Sequence, residues 1–186
     1  EGLEEVANPS LLFLSGRETP LAGSAVFPAL EGTRPVLVEI QALIVRLQSG
    51  ATPRRAVVGW DSGRLAMLLA VLESRCGLNF SSAEVYLNIA GGYRLTDPAA
   101  DLAVAAALVS ALADRPLPDK AAWFGEVSLA GEIRPVAHAP LRLREAAKLG
   151  FARCYGPAGA AQGDKASQYR GLAALANLVD QVMGSA

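Results

Sequence analysis

A two-layer α/β (α+β) domain is the fold this chain predicts, and three observations predict it. Val36, Val38 and Ile40 alternate with Leu37, Glu39 and Gln41, the period of a strand. Leu65 to Arg75 and Ala99 to Ala113 are longer apolar runs opened by capping residues, as buried helices are. Segments of the two kinds then follow each other along the chain, separated by Gly and Pro turns, which favours a sheet layered with helices. At 186 residues the chain fits one domain, long enough to bury roughly 70% of its unfolded surface.

Taken in order, residues 1–15 read as a linker entering the domain, which spans residues 16–186. The linker is acidic at Glu1, Glu4 and Glu5, passes Asn8-Pro9-Ser10, and allows one helical turn over Ser10–Leu14. Ala22–Leu30 is extended; Glu31-Gly32-Thr33-Arg34-Pro35 reverses it into a strand over Val36–Val45. Arg54–Trp60 is a short strand with Arg54 and Arg55 at its mouth. Asp61 or Ser62 is placed to cap the helix Leu65–Arg75, whose apolar residues on almost every side place it between layers, and Gly77 stops it. Glu84–Ala90 is a strand ending at Gly91-Gly92.

Asp97-Pro98 is a strong helix start, a capping carboxylate before Pro at the first helical position. The helix Ala99–Ala113 is built from small residues, so a sheet or helix can approach it closely, and Pro116 and Pro118 end it. Trp123–Leu129 and Ile133–Val136 form a strand pair about Ala130-Gly131, closing beside the turn that opens this helix. Leu141–Leu149 is a short helix, Ala152–Tyr155 a final strand, and Leu172–Val182 a closing helix.

Composition excludes several classes. An apolar fraction of 52% with 19% charged residues describes a globular chain. The longest nearly unbroken apolar run, Leu102–Ala113, is too short for a bilayer, which takes about 20 residues. The acidic start is no signal peptide, so a cytoplasmic protein without a membrane partner is expected, and the missing initial Met suggests a piece of a longer chain. Cys76 and Cys154 form no disulfide framework and no paired metal spacing; reduced, buried thiols are expected. His138 has no second His or Cys nearby, so a loop or core histidine is expected and no metal site.

Net charge is −1, but it is unevenly laid out. Residues 1–35 carry five acids against two bases and residues 81–129 six against three, each a net of −3. Residues 40–80 and 130–160 each carry five bases against two acids, a net of +3. Of the 17 basic residues 14 are Arg, whose planar fork suits phosphate. Arg54, Arg55, Arg64, Arg142, Arg144 and Lys148 are therefore the candidate DNA-binding group if the two segments share a face. The plainer alternative is solvated ion pairs, Arg142 with Glu145 or Arg64 with Asp61.

Six blocks, NPSLLFLSGR, GSAVFPALEGTRPVLVEIQALIV, VGWDSGRLAMLLAVLESRCGL, DPAADLAVAAALVSAL, FGEVSLAGEIRPV and LREAAKLGF, occur in this order. Together, from about residue 3 to 160, they resemble the C-terminal, Lon-protease-like domain of the bacterial RadA (Sms) family. That family comprises RecA paralogs with a zinc finger and a RecA-like ATPase core. The resemblance implies the Lon proteolytic-domain fold (ribosomal protein S5 domain 2-like) and assembly into homo-hexameric rings. It also implies a role in recombinational DNA repair by branch migration, with single-stranded and branched DNA and the RecA recombinase as partners. ATP, Mg and Zn belong to the longer family members; this stretch has no G-x-x-x-x-G-K-[ST] and no C-x-x-C, so no cofactor is expected here.

In Lon-type serine peptidases the turn matching Thr96–Asp101 carries the nucleophilic Ser, and a later helix carries the Lys base. The resemblance puts Ala99 at the Ser position and Pro140 at about the Lys position, so the dyad is missing at both ends. Ser110 lies roughly 16 Å along the helix from Ala99, and Lys148 roughly 12 Å past Pro140, too far to replace them. The expectation is a non-catalytic module that assembles rings and binds DNA without regard to sequence. The alternatives are a structural collar that never touches DNA and, last, a residual serine peptidase.

Overall fold

The computed structural model describes residue 14, residues 19–160 and residues 168–184; most of the expected linker and its helical turn lie outside the described residues. Nine strands are described: β1 (Ser24–Glu31), β2 (Arg34–Arg46), β3 (Arg55–Val58), β4 (Ala83–Ile89), β5 (Ala121–Trp123), β6 (Glu126–Val127), β7 (Ile133–Arg134), β8 (Arg153–Pro157) and β9 (Gln168–Leu172). Four α-helices accompany them: α1 (Ser62–Cys76), α2 (Asp101–Ala113), α3 (Ala139–Lys148) and α4 (Leu175–Met183). The mixed α/β class read from the sequence is the one observed.

Seven strands form one sheet in the order β3-β4-β2-β1-β5-β8-β9, and β6 and β7 form a second, two-stranded sheet among the described residues. β1 and β2 are an antiparallel hairpin in which Phe27 faces Val38. Its turn passes through Gly32 at φ 62°, a left-handed conformation that glycine adopts without penalty. β2, the longest strand, also pairs antiparallel with β4. The remaining pairings, β3 with β4, β1 with β5, β5 with β8 and β8 with β9, are parallel. β3 is joined to β4 through α1, and β5 to β8 through β6, β7 and α3, crossovers of the kind parallel pairing requires.

α2 is the centre of the core. Every residue from Asp101 to Ser110 is buried, and the helix packs on β1, β2 and β5 and against α1 and α4. Its alanines permit that approach, and each buried Leu or Val in it contributes about 1.5–3 kcal/mol. Ser110, like Asp101, is a buried polar residue in this largely apolar helix: its Oγ accepts from Gly23 N at 2.9 Å and donates to Arg115 O at 2.5 Å. α1 is capped as expected, with Asp61 accepting from Arg64 N at 2.7 Å and Gly77 left-handed at φ 69°. α3 packs on β1, β2 and β8.

Four expectations are corrected. The Trp123–Leu129 strand is two pieces, because the chain turns out of the main sheet at Gly125 (φ 156°) and β6 pairs with β7 instead. The closing helix begins at Leu175, and the residues before it form β9, an edge strand set by parallel register with β8. α3 starts at Ala139, with Pro140 in its first turn, where proline's missing N–H costs nothing. α1 is not enclosed between layers: Ala66, Met67 and Ala70 are exposed.

Candidate functional site and nucleic-acid interface

The turn before α2 is built by local hydrogen bonds. Asp97 is extended (φ −74°, ψ 121°), and its Oδ1 accepts from Ala99 N at 2.9 Å. Pro98–Ala100 makes one 3-10 turn that runs on into α2. The stretch Gly125–Val127 is stitched to it: Gly125 N donates to Ala99 O at 2.8 Å, and Leu102 N to Gly125 O at 3.0 Å. Val127 N donates to Asp101 Oδ2 at 3.0 Å. The pairing of turn and strand segment expected from the sequence is therefore present.

Two arginines grip this turn from opposite ends. Arg64, from α1, donates through Nε to Asp101 Oδ1 at 2.6 Å and through Nη2 to Asp101 Oδ2. Arg142, from α3, donates to Asp97 Oδ2 at 2.6 Å, Pro28 O at 2.7 Å and Ala137 O at 3.1 Å. Its guanidinium also lies 5.5 Å from the centre of the Phe27 ring. Charge-assisted bonds of this kind are both strong and directional. Burial pushes the Asp101 carboxyl above its ordinary value, although Arg64 and the Val127 N–H pull the other way.

The two positions matched to a catalytic dyad carry a methyl group and a proline ring. Ala99 is fully buried, and Pro140 is exposed. Ser110 is committed to Gly23 and Arg115, and Lys148 Nζ to Glu145 at 2.8 Å. Beside the turn, Glu31, Tyr93, Arg94, Thr96 and Asp97 line an open groove of about 440 Å³. Among the described residues no cluster of three or more His, Cys, Asp or Glu is placed to hold a metal ion. His138 is exposed and left-handed (φ 61°) at the start of α3. Cys154 is buried, but Cys76 is only half-buried.

The six candidate DNA-binding residues separate. Arg142 leaves the group, because its side chain is 2% exposed and each of its guanidinium nitrogens donates to a protein oxygen. Arg64 is mostly covered and paired with Asp101, not with Asp61, and Arg142 pairs with Asp97, not with Glu145. Arg55 turns back on the protein, donating to Phe80 O at 2.7 Å and to Ala83 O. Arg54, beside it at one edge of the sheet, is exposed. Arg144 and Lys148 are exposed on α3, which leads directly into β8.

Two bases not singled out in the sequence join that second group. Arg153 opens β8 and pairs across to Ala121 of β5. Lys120, the residue before Ala121, holds its ammonium 5.2 Å from the centre of the Phe151 ring, a favourable cation–π placement. Lys148 closes α3, with Arg144 one turn earlier, and Lys120 and Arg153 stand at the starts of β5 and β8. Lys120 was hidden by its acidic sequence surroundings; only the β5–β8 pairing brings it beside Arg153.

The family model described as ChlI, subunit ChlI of Mg-chelatase, matches residues 63–159, more than half of the chain. The chain belongs to the ChlI family. The ChlI-family segment begins inside α1 and ends just past β8, so it includes both arginine clamps and the turn between them. The resemblance to RadA proteins holds over nearly all of the chain. It is 57% identical over 186 residues to the DNA repair protein RadA of Brucella abortus (strain 2308), 99% of this chain and 40% of that protein. It is 57% identical over 150 residues to the DNA repair protein RadA of Rickettsia felis (strain ATCC VR-1525 / URRWXCal2), 81% of this chain and 33% of that one. It is 51% identical over 158 residues to the DNA repair protein RadA of Escherichia coli (strain K12), 85% and 34%. The chain thus spans 33–40% of the length of these curated relatives.

Proposed function

We propose that this chain is a non-catalytic, Lon-like module of a DNA repair protein, acting in recombination by binding DNA without sequence preference and by assembling rings. The names of its relatives support the repair role. The observation that carries the DNA-binding half is that Arg144 and Lys148 are exposed on the helix leading into β8, which Arg153 opens beside β5, the strand that Lys120 precedes. Cations grouped this way bind the phosphate backbone and release its counterions, so affinity falls steeply with salt. Single-stranded and branched DNA are the proposed ligands, in the cytoplasm. The RecA recombinase is the proposed partner of the longer protein, whose ATP, Mg and Zn are proposed to bind outside this stretch.

Fluorescence anisotropy with labelled duplex and single-stranded oligonucleotides, over a series of salt concentrations, tests this reading. Replacing all four bases with Ala should lower the duplex salt slope by roughly 3–4, about 0.9 for each phosphate no longer neutralised. Unchanged affinity and slope would sink the DNA half of the reading. The collar alternative draws its support from the apolar surfaces left exposed on α1 and on the sheet. Peptidase action is disfavoured by the buried methyl at Ala99.

A further inference from the structure

The outer edge of β1 is only partly filled. Ala42 N donates to Gly23 O at 2.7 Å, which sets the parity of the β1–β2 ladder. Ala25, Phe27, Ala29 and Glu31 then share bonds with β2, and Val26, Pro28 and Leu30 turn their backbone groups the other way. Among the described residues β5 meets that outer edge only at Val26. The chain then veers off, with Phe124 N donating to Tyr155 O and Gly125 N to Ala99 O. Arg142 takes the next place on the edge by donating to Pro28 O at 2.7 Å. Beyond it no described strand pairs with the edge, and half-buried Leu30 keeps its N–H and C=O outward.

The groove beside Leu30 has a second wall of extended backbone. Tyr93 (φ −68°, ψ 143°) and Asp97 (φ −74°, ψ 121°) have strand-like angles. Leu95 between them is buried, its N–H donating to Gly59 O at 2.8 Å, while Arg94 and Thr96 are exposed. The space between the walls is about 440 Å³. Arg94 is the only cation among the described residues lining it, against the carboxylates of Glu31 and Asp97. Glu31 is exposed and belongs to none of the described ion pairs. Burial, then the charges of Glu31 and Asp97, push the Tyr93 phenol above its ordinary value, so both carboxylates act at that ring.

We propose that this groove takes an extended peptide, which pairs with the outward N–H and C=O of Leu30 and lays a lysine or arginine side chain against Glu31 and the Tyr93 ring. An unfilled strand edge is a template for another strand. Peptides that add to a sheet draw affinity from backbone pairing and selectivity from alternate side chains. A cation beside an aromatic ring and a carboxylate is held by both. The same carboxylates repel phosphate, which favours a polypeptide over a nucleic acid as the occupant. Arg144, Lys148, Arg153 and Lys120 do not line the groove, so the inference stands apart from the DNA-binding reading.

Fluorescence anisotropy of the full 186-residue chain with a labelled, end-blocked probe peptide of alternating Val and Thr around a central Lys tests it. N-methylation of the probe's central backbone nitrogens should weaken binding roughly tenfold, the effect of losing one or two backbone hydrogen bonds. Leu30→Pro should do the same from the protein side. It removes the outward donor and spares the β1–β2 ladder, in which Leu30 shares no bond. Glu31→Lys should reverse the preference between Lys and Glu versions of the probe, which loss of structure would not do. Far-UV circular dichroism confirms the fold of both variants, and the N-methylated probe needs no variant at all. A probe that does not bind, or binds equally well when N-methylated, would overturn the proposal. An unchanged preference in Glu31→Lys would overturn the placing of the basic side chain. Displacement of the probe by a single-stranded oligonucleotide, with both ligands lost in Leu30→Pro, would give the groove to nucleic acid instead.

Discussion

Arg142 and Asp97 meet at 2.6 Å, and the arginine side of that pair is 2% exposed while the aspartate side is 33% exposed. A base lying in a positive stretch of sequence is thereby a structural bolt. It ties α3 to the start of α2 and, through Pro28 O, to β1.

Arg142→Ala should therefore destabilise the fold by about 2–3 kcal/mol, through lost charge-assisted hydrogen bonds and a backbone carbonyl at Pro28 left without its donor. Arg142→Lys should recover only part of this, because an ammonium cannot reproduce the three-way fork. Arg144→Ala, two residues away on exposed surface, should leave the melting temperature unchanged and weaken DNA binding. Thermal unfolding of the three variants distinguishes a bolt from a phosphate contact. Equal melting of Arg142→Ala and the parent would refute the structural role.

Asp101 should take up a proton at higher pH than an ordinary aspartate, whose value is 3.8, because burial outweighs its bonds to Arg64 and Val127. A carboxyl raised in the native state binds its proton more tightly there than in the unfolded chain. Its contribution to stability therefore grows as pH falls through the raised value and is lost as pH rises through it. This is the reverse of a carboxylate held low by an ion pair. Carboxyl carbon NMR titration reads the shift directly, and Asp101→Asn should remove this portion of the pH–stability curve. A midpoint below 3.8 would contradict it.

Gly125→Ala should be costly through both its backbone conformation and its surroundings. Gly125 sits at φ 156°, and an added Cβ would lie 2.8 Å from Ile133 Cγ2. The same residue bonds Ala99 and Leu102 through both of its backbone groups. Strain and displacement of that stretch should lower stability by about 1–3 kcal/mol, read by urea unfolding. Gly32→Ala, where nothing lies within 4 Å, is the comparison that isolates the clash, since its φ of 62° strains the backbone alone.

Restoring the missing groups with Ala99→Ser and Pro140→Lys should yield no peptidase. The new hydroxyl would occupy a fully buried position in a turn held by Arg64 and Arg142. Casein hydrolysis or labelling by a serine-directed phosphonate in the double variant would show that the clamps leave the old centre open.

Cys154 should resist alkylation in the native protein. Burial pushes its thiol up to about 12, leaving almost no thiolate at about pH 8. Cys76 is half-buried and also pushed up, by burial and by Asp180, but less enclosed. Iodoacetamide followed by mass spectrometry should modify Cys76 first, and both only in denaturant.

The sequence by itself determined what depends on near neighbours. Asp97-Pro98 and Asp61 with Gly77 set helix ends, because caps act within one turn. The β1–β2 hairpin and the small-residue helix were readable for the same reason. Tertiary structure alone decided the fates of the charges. Arg142 reads like Arg144 in sequence, yet one is buried against Asp97 and Pro28, which lie far back in the chain, and the other faces solvent. β9, the break at Gly125 and the meeting of Lys120 with Arg153 likewise arise from strand pairing between distant segments. Such pairing is fixed by what packs on the finished sheet and leaves no periodic mark in the residues themselves.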